Sequence, residues 1–346
     1  MAALPSYPAL KADIHGGPDA LGRPAHDFST NGNGCGPCPA AIEALQTVDA
    51  AHYPDPEYTA LRERLAQFHD VSVERIVVAA SASEFIFRIS AAFAQRGGRY
   101  AVLPPHSYGD YRRAARAWGL TAVPWQEGEP AGNPALSLYW ACDPSSPLGQ
   151  AEPALGARID RLPDGATCVL DLAYDPLRLD GALALTGAQR DRVWQLVTPN
   201  KAMGLTGIRA AYAIAPRAHR GMQETVAQLA QSWPVGSHGI ALLDVWTSHE
   251  AQAHLQRTRA MLADWKRQQI ALCTSMGWEC LPSVANFFCV RTGVQNLGAF
   301  AKGLRGHGIK VREAASFGLP EALRLAVLPP VSQAALHAAV QALRAV

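Results

Sequence analysis

Lysine is scarce in this sequence, and long apolar runs and blocks of like charge are missing from it. Only five of the 31 basic residues are lysines, and the net charge is +2. This balance gives no electrostatic reason to expect a nucleic acid or an anionic membrane as partner. No apolar stretch approaches the ~20 residues that span a bilayer, and the N-terminus lacks the basic and apolar regions of a secretory signal. We therefore expect a cytoplasmic globular protein.

The seven cysteines are odd in number and scattered, which is not typical of a disulfide framework. Cys35 and Cys38 form a C-x-x-C pattern, but a polar, glycine-rich stretch precedes them, whereas a redox pair needs a preceding buried strand. A loop leading into a helix that begins at Pro39 is the better interpretation, since proline is favoured in the first helical turn. A redox pair stays a weaker alternative. A zinc site is weaker still, because no second pair of ligands completes it.

Short β-rich runs alternate with helical patterns through the middle of the chain. Continuous apolar strands separated by helices are typical of a mostly parallel sheet that is covered on both faces. The sequence therefore predicts an α/β fold whose large domain is built on a seven-stranded sheet. Ligands of such sheets bind beyond the carboxyl ends of the strands. The candidate strands are residues 76–80, 100–103, 121–125, 137–141, 168–172, 194–198 and 209–215.

The pattern changes after about residue 235. A long, half-buried helix is predicted from about 248 to 276. Its apolar stripe consists of Leu255, Leu262, Trp265, Leu272 and Met276. The strands and helices that follow predict a small α+β domain containing both ends of the chain. The predicted domains are an N-terminal arm with part of the small domain (1–50), the large domain (51–245) and the small C-terminal domain (246–346).

Lys201 is the only lysine in the predicted large domain, and it follows the strand at 194–198. A lysine that forms an imine must be partly desolvated so that its amine can be neutral, and a crevice at a strand end suits this need. Thr198 and Asn200 offer polar groups beside it, and Arg209 offers a bidentate clamp for a phosphate. Taken without this context, Lys201 would be an ordinary surface lysine.

The segment TPNKAMGLTGIR around Lys201 resembles the S-x-S-K-x-x-G-L-x-G-x-R segment of the fold-type I pyridoxal-phosphate (PLP) enzymes, the aspartate aminotransferase superfamily. The resemblance covers about residues 14–340 and implies a large PLP-binding domain. It implies that Lys201 is the Schiff-base lysine, that Arg209 holds the cofactor phosphate and that Thr198 contacts the same phosphate. Asn200 departs from the serine that usually precedes the lysine.

Two upstream segments agree with this resemblance. CVLDLAYDPL is similar to the D-x-A-Y stretch, which implies that Asp171 pairs with the pyridine nitrogen and Tyr174 with the 3′-oxygen of PLP. The charge of Asp171 would keep that nitrogen protonated and make the ring an electron sink. SASEFIFRISAAFA predicts a helix whose first N–H groups, at Ala82 and Ser83, hold the phosphate. The alternative for this segment is a simple helix cap.

Three further segments agree with the same resemblance. Tyr108, in LPPHSYGDY, is placed where an aromatic ring stacks on the pyridine, with a core tyrosine as the alternative. In CDPSSPLG, Asp143 and Ser146 replace the two asparagines of the family's N-P-x-N-P-T-G loop, so the bond to the 3′-oxygen would be water-mediated or lost. HYPDPEY is similar to the histidinol-phosphate branch, which implies a homodimer in which Tyr53 reaches the partner's PLP phosphate.

Both ends of the chain resemble the threonine-phosphate decarboxylases of cobalamin synthesis. The motifs are H-G-G at 15–17, DFSTNGN at 27–33 and VREAASFGLP at 311–320. The resemblance implies decarboxylation of O-phosphothreonine. It suggests Arg324 for the substrate carboxylate, Arg312 and His15 for the substrate phosphate, and Asn33 as a further substrate contact, since arginines suit anionic groups.

Three other interpretations of the site stay open at this point. The arginines could form surface ion pairs, and the H-G-G segment could be a turn. A histidinol-phosphate-type aminotransferase would use the same Lys201 to transfer a proton from Cα. A PLP-binding protein that has lost catalysis is the third, since a fold alone does not choose the reaction.

Overall fold

The computed structural model describes residues 16–125, 136–163, 166–218 and 220–345. Its strands are β1 (His26–Asp27), β2 (Ile76–Ala79), β3 (Tyr100–Leu103), β4 (Thr121–Pro124), β5 (Ser137–Cys142), β6 (Thr167–Asp171), β7 (Trp194–Val197), β8 (Ala211–Ile214), β9 (Glu279–Cys280), β10 (Phe287–Arg291), β11 (Ile309–Lys310), β12 (Arg312–Glu313) and β13 (Ala322–Ala326). Its α-helices are α1 (Pro39–Gln46), α2 (Thr59–His69), α3 (Ala82–Gln95), α4 (Gly109–Ala117), α5 (Leu155–Asp160), α6 (Gly187–Arg190), α7 (Arg220–Gln228), α8 (Ser237–Trp246), α9 (His249–Ser275), α10 (Leu297–Gly306) and α11 (Pro330–Arg344).

Seven strands form the central sheet, in the order β2-β8-β7-β6-β5-β3-β4. The sheet is mostly parallel, which confirms the predicted α/β fold. Only β8 runs antiparallel to its neighbours β2 and β7. Because β8 runs against β7, the loop between these two strands leaves and re-enters the sheet at the same edge. That loop carries Lys201 and Arg209.

Side chains of the central strands alternate between the two faces of the sheet, as extended chain requires. On β5, Tyr139 belongs to a hydrophobic cluster on one face, and Trp140 belongs to a cluster on the other. Helices α3 and α4 add Phe85 and Tyr111 to the Trp140 cluster. Helices α2 and α8 pack on the opposite face. Burial on both faces explains why the sequences of these strands are continuous apolar runs.

A smaller antiparallel sheet has the order β12-β13-β10-β9 and packs with the C-terminal helices. The long helix predicted from about 248 to 276 is α9. Strand β1 pairs in parallel with β11, so the N-terminal segment joins the C-terminal part of the chain. The exact domain boundaries near residues 50 and 245 stay predictions. Within the described ranges, no helix has the length and apolar character to cross a membrane.

Candidate active site

A cleft of about 180 Å³ lies at the carboxyl ends of the central parallel strands. It gathers eleven of the fourteen residues that the sequence predicts for the site. These residues are Ala82, Ser83, Tyr108, Ser146, Asp171, Tyr174, Thr198, Lys201, Arg209, Arg312 and Arg324. The location follows from topology, because loops that leave neighbouring parallel strands meet at one edge of the sheet.

Lys201 enters the cleft from the loop between β7 and β8. Its Nζ lies 5.1 Å from the centroid of the Tyr174 ring. The loop is held in shape by its own backbone, since the Lys201 carbonyl accepts hydrogen bonds from the N–H groups of Asn33 (2.8 Å) and Gly204 (3.1 Å). Gly204 has a φ of +68°, and a Cβ there would lie 2.5 Å from the Gly36 carbonyl oxygen. Only glycine therefore fits this position without moving the loop.

Asp171 is a buried carboxylate of the cleft and lies at the end of β6. Its Oδ1 accepts a hydrogen bond from the Ala173 N–H (2.9 Å), and its Oδ2 accepts one from the Tyr111 hydroxyl (2.6 Å). Burial raises the pKa of Asp171, while Tyr111, Ala173 and the nearby charge of Lys201 oppose that rise. A carboxylate with these surroundings gains from a cationic partner in the cleft.

An anion site is formed by the start of α3 and the residues that face it. Ser81 caps the helix by accepting a hydrogen bond from the Glu84 N–H (3.0 Å), while the Ala82 and Ser83 N–H groups belong to the first turn. The first N–H groups of a helix lack intrahelical acceptors and attract anions. The Ser83 hydroxyl lies 3.2 Å from the Tyr108 hydroxyl. Arg209 adds its positive charge from the facing loop.

Asn200, which replaces the usual serine, stabilises the loop that carries the lysine. Its Nδ2 donates to the carbonyl oxygens of Ile208 (3.2 Å) and Thr206 (3.4 Å). Its Oδ1 lies 3.0 Å from the Thr198 hydroxyl. The side chain thus ties the two ends of the Lys201 loop together.

Asp143 and Ser146 belong to the loop after β5. The Asp143 carboxylate forms a buried ion pair with Arg178, with an Nη2–Oδ1 distance of 2.6 Å. Arg178 also pairs with Asp175 at 2.9 Å. No sequence motif predicts this role of Arg178, because Asp143 is 35 residues away in the chain. Because the ion pair anchors the loop, the aspartate at 143 has a structural role of its own. Ser146 lines the cleft.

Arg312 and Arg324 face each other as partners across β12 and β13. Both guanidinium groups lie near the Phe317 ring, at 4.9 Å and 5.6 Å from its centroid. Arg312 donates to the Ser316 hydroxyl (2.8 Å), and Arg324 donates to the Ser29 carbonyl oxygen (3.1 Å). The buried Nε of Arg324 has no hydrogen-bond partner among the described residues. A buried donor of this kind fits an anion that enters the cleft.

Asn33 is not among the residues that line the cleft, and its predicted contact with the substrate stays a prediction. Its Nδ2 donates to Thr258 Oγ1 (2.9 Å) and to the Ala202 carbonyl oxygen (3.0 Å). Its Oδ1 accepts a hydrogen bond from the Cys35 N–H (3.1 Å). The amide is therefore used to hold the N-terminal segment against the Lys201 loop.

One further predicted residue lies apart from the cleft of its own chain. Tyr53 is 78% exposed, and its ring stacks on Trp233 with a centroid distance of 4.4 Å. His15 lies outside the described residues. Cys38 directly precedes α1, as the non-redox interpretation expects. Burial raises the pKa of Cys35 to about 11, so its thiol stays protonated, which disfavours a redox pair.

The functional groups of the cleft fit PLP. An amine, a buried carboxylate and an anion site with a facing arginine match the aldehyde carbon, the ring nitrogen and the phosphate of this cofactor. Two arginines remain for the anionic groups of a substrate. The arrangement can therefore hold PLP and an anionic amino compound side by side.

Comparisons with known proteins agree with this arrangement. A family model described as aminotransferase class I and II matches residues 25–343. The chain is 30% identical to a histidinol-phosphate aminotransferase of Symbiobacterium thermophilum, over 88% of this chain and 87% of that relative. The fold is similar to a histidinol-phosphate aminotransferase from Sinorhizobium meliloti in complex with pyridoxal-5'-phosphate, with a TM-score of 0.77, 22% identity and coverage of 98% of this chain and 99% of that one. It is also similar to L-threonine-O-3-phosphate decarboxylase from Porphyromonas gingivalis, with a TM-score of 0.72, 22% identity and coverage of 89% and 94%.

The predicted decarboxylation of O-phosphothreonine is wrong. Relatives with 28% to 30% identity over most of the chain are histidinol-phosphate aminotransferases. The likeness to the decarboxylase, at 22% identity, concerns the fold alone. The prediction depended on segments around His15 and Arg312 that suit a phosphate group. Both kinds of enzyme are named for phosphorylated compounds, so these segments carry no information about which bond at Cα reacts.

Proposed function

Because the chain belongs to the aminotransferase class I and II family and is a PLP-dependent enzyme, we propose that it is an aminotransferase of the histidinol-phosphate type. It exchanges an amino group between histidinol phosphate and a 2-oxo acid. The observation that carries this proposal is the single cleft in which Lys201, Asp171 and the anion site at α3 meet the paired arginines Arg312 and Arg324. The curated relatives support the choice of substrate.

Each reactive residue of the cleft has a separate task. When bound, PLP supplies an electron sink for the electrons released at the Cα of the substrate. Lys201 would hold the cofactor through its amine, and the same amine would move the proton of the substrate Cα. Asp171 would accept a hydrogen bond from the ring nitrogen and favour its protonated form. Tyr174, whose ring lies beside the Lys201 amine, would orient the 3′-oxygen.

The paired arginines suit the two substrates of an aminotransferase. A 2-oxo acid brings a carboxylate, and histidinol phosphate brings a phosphate and no carboxylate. We assign the carboxylate to Arg324, because its buried Nε lacks a partner among the described residues. We assign the phosphate to Arg312, which faces Arg324 across the strand pair. Guanidinium groups bind both kinds of anion in a bidentate manner.

The proposal includes a homodimer in which Tyr53 completes the partner's phosphate site. In its own chain Tyr53 lies outside the cleft and is exposed. Stacking on Trp233 fixes its ring, and the Trp233 indole is itself fixed by a hydrogen bond to the Pro54 carbonyl oxygen (3.0 Å). An exposed tyrosine held in this way suits a contact with a second subunit.

Glutamate formation from histidinol phosphate and 2-oxoglutarate tests the proposed function. We expect glutamate to appear only when both substrates and PLP are present. Lys201→Ala should lower the rate by at least about a thousandfold, since it removes both the covalent attachment and the acid–base group. Lys302→Ala, which changes an exposed lysine on α10, should leave the rate unchanged. Carbon dioxide release from an amino acid without glutamate formation would contradict the proposal.

A further inference from the structure

Tyr111 is a buried residue of the site that the motifs did not identify. It lies on α4, and its hydroxyl donates to Asp171 Oδ2 over 2.6 Å. Its ring is stacked almost parallel on Trp140, with a centroid distance of 4.4 Å and an interplanar angle of 14°. It also forms a T-shaped contact with the Tyr108 ring, with a centroid distance of 5.8 Å and an interplanar angle of 86°. Contacts with Trp140 on β5 and Asp171 on β6 thus fix the position of the phenol, and its hydroxyl points at one carboxylate oxygen.

The hydrogen bond between Tyr111 and Asp171 has a fixed direction. Burial and the neighbouring carboxylate raise the pKa of Tyr111 well above its usual value, so the phenol keeps its proton and acts as a donor. Burial and the Asp171 charge also raise the pKa of Cys142, the other group near this hydroxyl, so its thiol stays neutral. Tyr111 therefore stabilises the ionised form of Asp171 only. Such charge-assisted O–H···O⁻ bonds are short and strong.

Two donors also fix the orientation of the Asp171 carboxylate. The Ala173 N–H binds Oδ1, and the Tyr111 hydroxyl binds Oδ2 from a different element of the fold. Asp171 also lines the cleft. Without Tyr111, Oδ2 would lose its donor in a buried environment, where burial already favours the neutral acid.

We propose that Tyr111 is a positioning residue for PLP, which holds Asp171 ionised and oriented toward the ring nitrogen of the cofactor. This inference rests on the PLP chemistry of the proposed function and is independent of which amino compound the enzyme uses. Tyr111 acts through Asp171 and touches neither substrate. Its role is therefore expressed in the affinity for PLP and in the pH dependence of that affinity.

The test compares Tyr111→Phe with Tyr139→Phe. Tyr139 is an equally buried tyrosine on β5, but it packs on the opposite face of the sheet. Full-length apoprotein is titrated with PLP alone and followed by absorbance, and its melting temperature is recorded. We expect the dissociation constant of Tyr111→Phe to rise by about tenfold or more, in line with the loss of a hydrogen bond to a charged group. That of Tyr139→Phe should stay within about twofold of the unmodified protein.

The pH profile gives a second result that packing alone would not produce. Removing the Tyr111 donor raises the pKa of Asp171 further. On acidification, the affinity for PLP should therefore fall at a higher pH in Tyr111→Phe than in the unmodified protein. The groups facing this carboxylate are Tyr111 on α4, Cys142 on β5 and Lys201 on the β7–β8 loop. Equal profiles in the two proteins would overturn the proposal.

Asp171→Asn completes a double-mutant cycle. In this background no buried charge remains to be stabilised, so Tyr111→Phe should change the affinity for PLP by less than about twofold. If Tyr111→Phe alone does not fold, a folded double variant that binds PLP like Asp171→Asn supports the proposal. An equal loss of affinity for PLP in both backgrounds, or a double variant that does not fold, would show that Tyr111 acts through packing and would overturn the proposal. Because no amino substrate is present, failure of the histidinol-phosphate assay does not affect this test.

Discussion

At the scale of single residues, the two arginines of the cleft differ in how far the protein uses their hydrogen-bonding groups. Arg312 donates to the Glu313 carbonyl oxygen (2.9 Å) and to the Ser316 hydroxyl (2.8 Å). Arg324 donates from Nη2 to Ser29, while its buried Nε lacks a partner in the described part of the chain. Both guanidinium groups contact Phe317, so one aromatic ring sets the position of two cationic groups. The residue that retains unused donors is the better candidate for the carboxylate.

Arg324→Lys is predicted to weaken binding of the 2-oxo acid. A lysine keeps the charge but cannot offer two parallel N–H groups to a carboxylate. We expect KM for 2-oxoglutarate to rise by about tenfold or more, which corresponds to about 1.4 kcal/mol. Initial-rate kinetics at saturating histidinol phosphate measure the change. The matched control is Arg291→Lys, an arginine on the neighbouring strand β10 that forms surface ion pairs with Glu279 and Glu321. A KM that changes equally in both variants would remove Arg324 from the carboxylate site.

At the scale of elements, α9 supports the cleft through Lys266. Its Nζ donates to the carbonyl oxygens of Ser283 (2.5 Å) and Ala285 (2.8 Å). Ala285 in turn packs against Ala173 and Tyr174. A buried lysine thus fixes the segment behind the tyrosine of the site. Burial lowers the pKa of Lys266 to about 8, and Asp180 opposes this effect.

Lys266 is predicted to make the stability of the protein depend on pH in the alkaline range. The pKa is about 8 in the folded state and near its ordinary value of 10.5 in the unfolded state. Between these values the unfolded chain holds a proton that the folded protein lacks. The free energy of unfolding therefore rises with pH in this window, by about 3 kcal/mol at most, and this contribution is absent below pH 8.

Urea unfolding at pH 7.5, 9 and 10.5 measures this dependence. The stability of the unmodified protein relative to Lys266→Met should increase across the series. Lys302→Met, which changes an exposed lysine, should give a constant difference from the unmodified protein. If the difference in the free energy of unfolding between the unmodified protein and Lys266→Met is also constant with pH, Lys266 does not titrate in this window.

At the scale of the whole molecule, chain direction brings the site together. Strand β8 runs antiparallel to β7, so Arg209 returns to the edge of the sheet at which Lys201 leaves it. The parallel pair of β1 and β11 brings the N-terminal segment beside Arg312 and Arg324, and the Ser29 carbonyl oxygen then reaches Arg324. Segments from both ends of the chain therefore complete a cleft whose floor belongs to the central sheet.

A hybrid dimer tests the proposed exchange of Tyr53. Tyr53→Ala and Lys201→Ala are each expected to form dimers with little activity. Co-expression should restore activity, because in a mixed dimer the subunit with Lys201 receives Tyr53 from its partner and has one complete site. The purified mixed dimer is expected to have about half of the activity of the unmodified protein, since one of its two sites is complete. Aminotransferase assays on the co-purified dimer, separated by two affinity tags, measure the recovery. Mixed dimers without activity would show that Tyr53 serves its own chain.

The sequence by itself determined the order and type of the main elements and predicted most of the residues that line the cleft. Apolar runs that are buried on both faces of a sheet are local signals, and each of the seven predicted strands has a counterpart in the sheet. Lys201, Asp171 and Arg209 stand in motifs whose spacing along the chain is set by a single turn or strand. Such motifs can be recognised in the sequence without knowledge of the rest of the molecule.

Only the tertiary structure decided which distant residues share a hydrogen bond. Tyr111 bonds to Asp171, which is 60 residues away in the chain, and Arg178 bonds to Asp143, which is 35 residues away. Neither pair has a local signal, because it depends on the order of strands in the sheet. The same limit applies to the hydrogen bond between Asn33 and Thr258, which lie 225 residues apart in the chain. Lys201 and Asp171 specify a cofactor, whereas the reaction depends on how the substrate is held over it, and that is set by side chains that only the folded chain brings together.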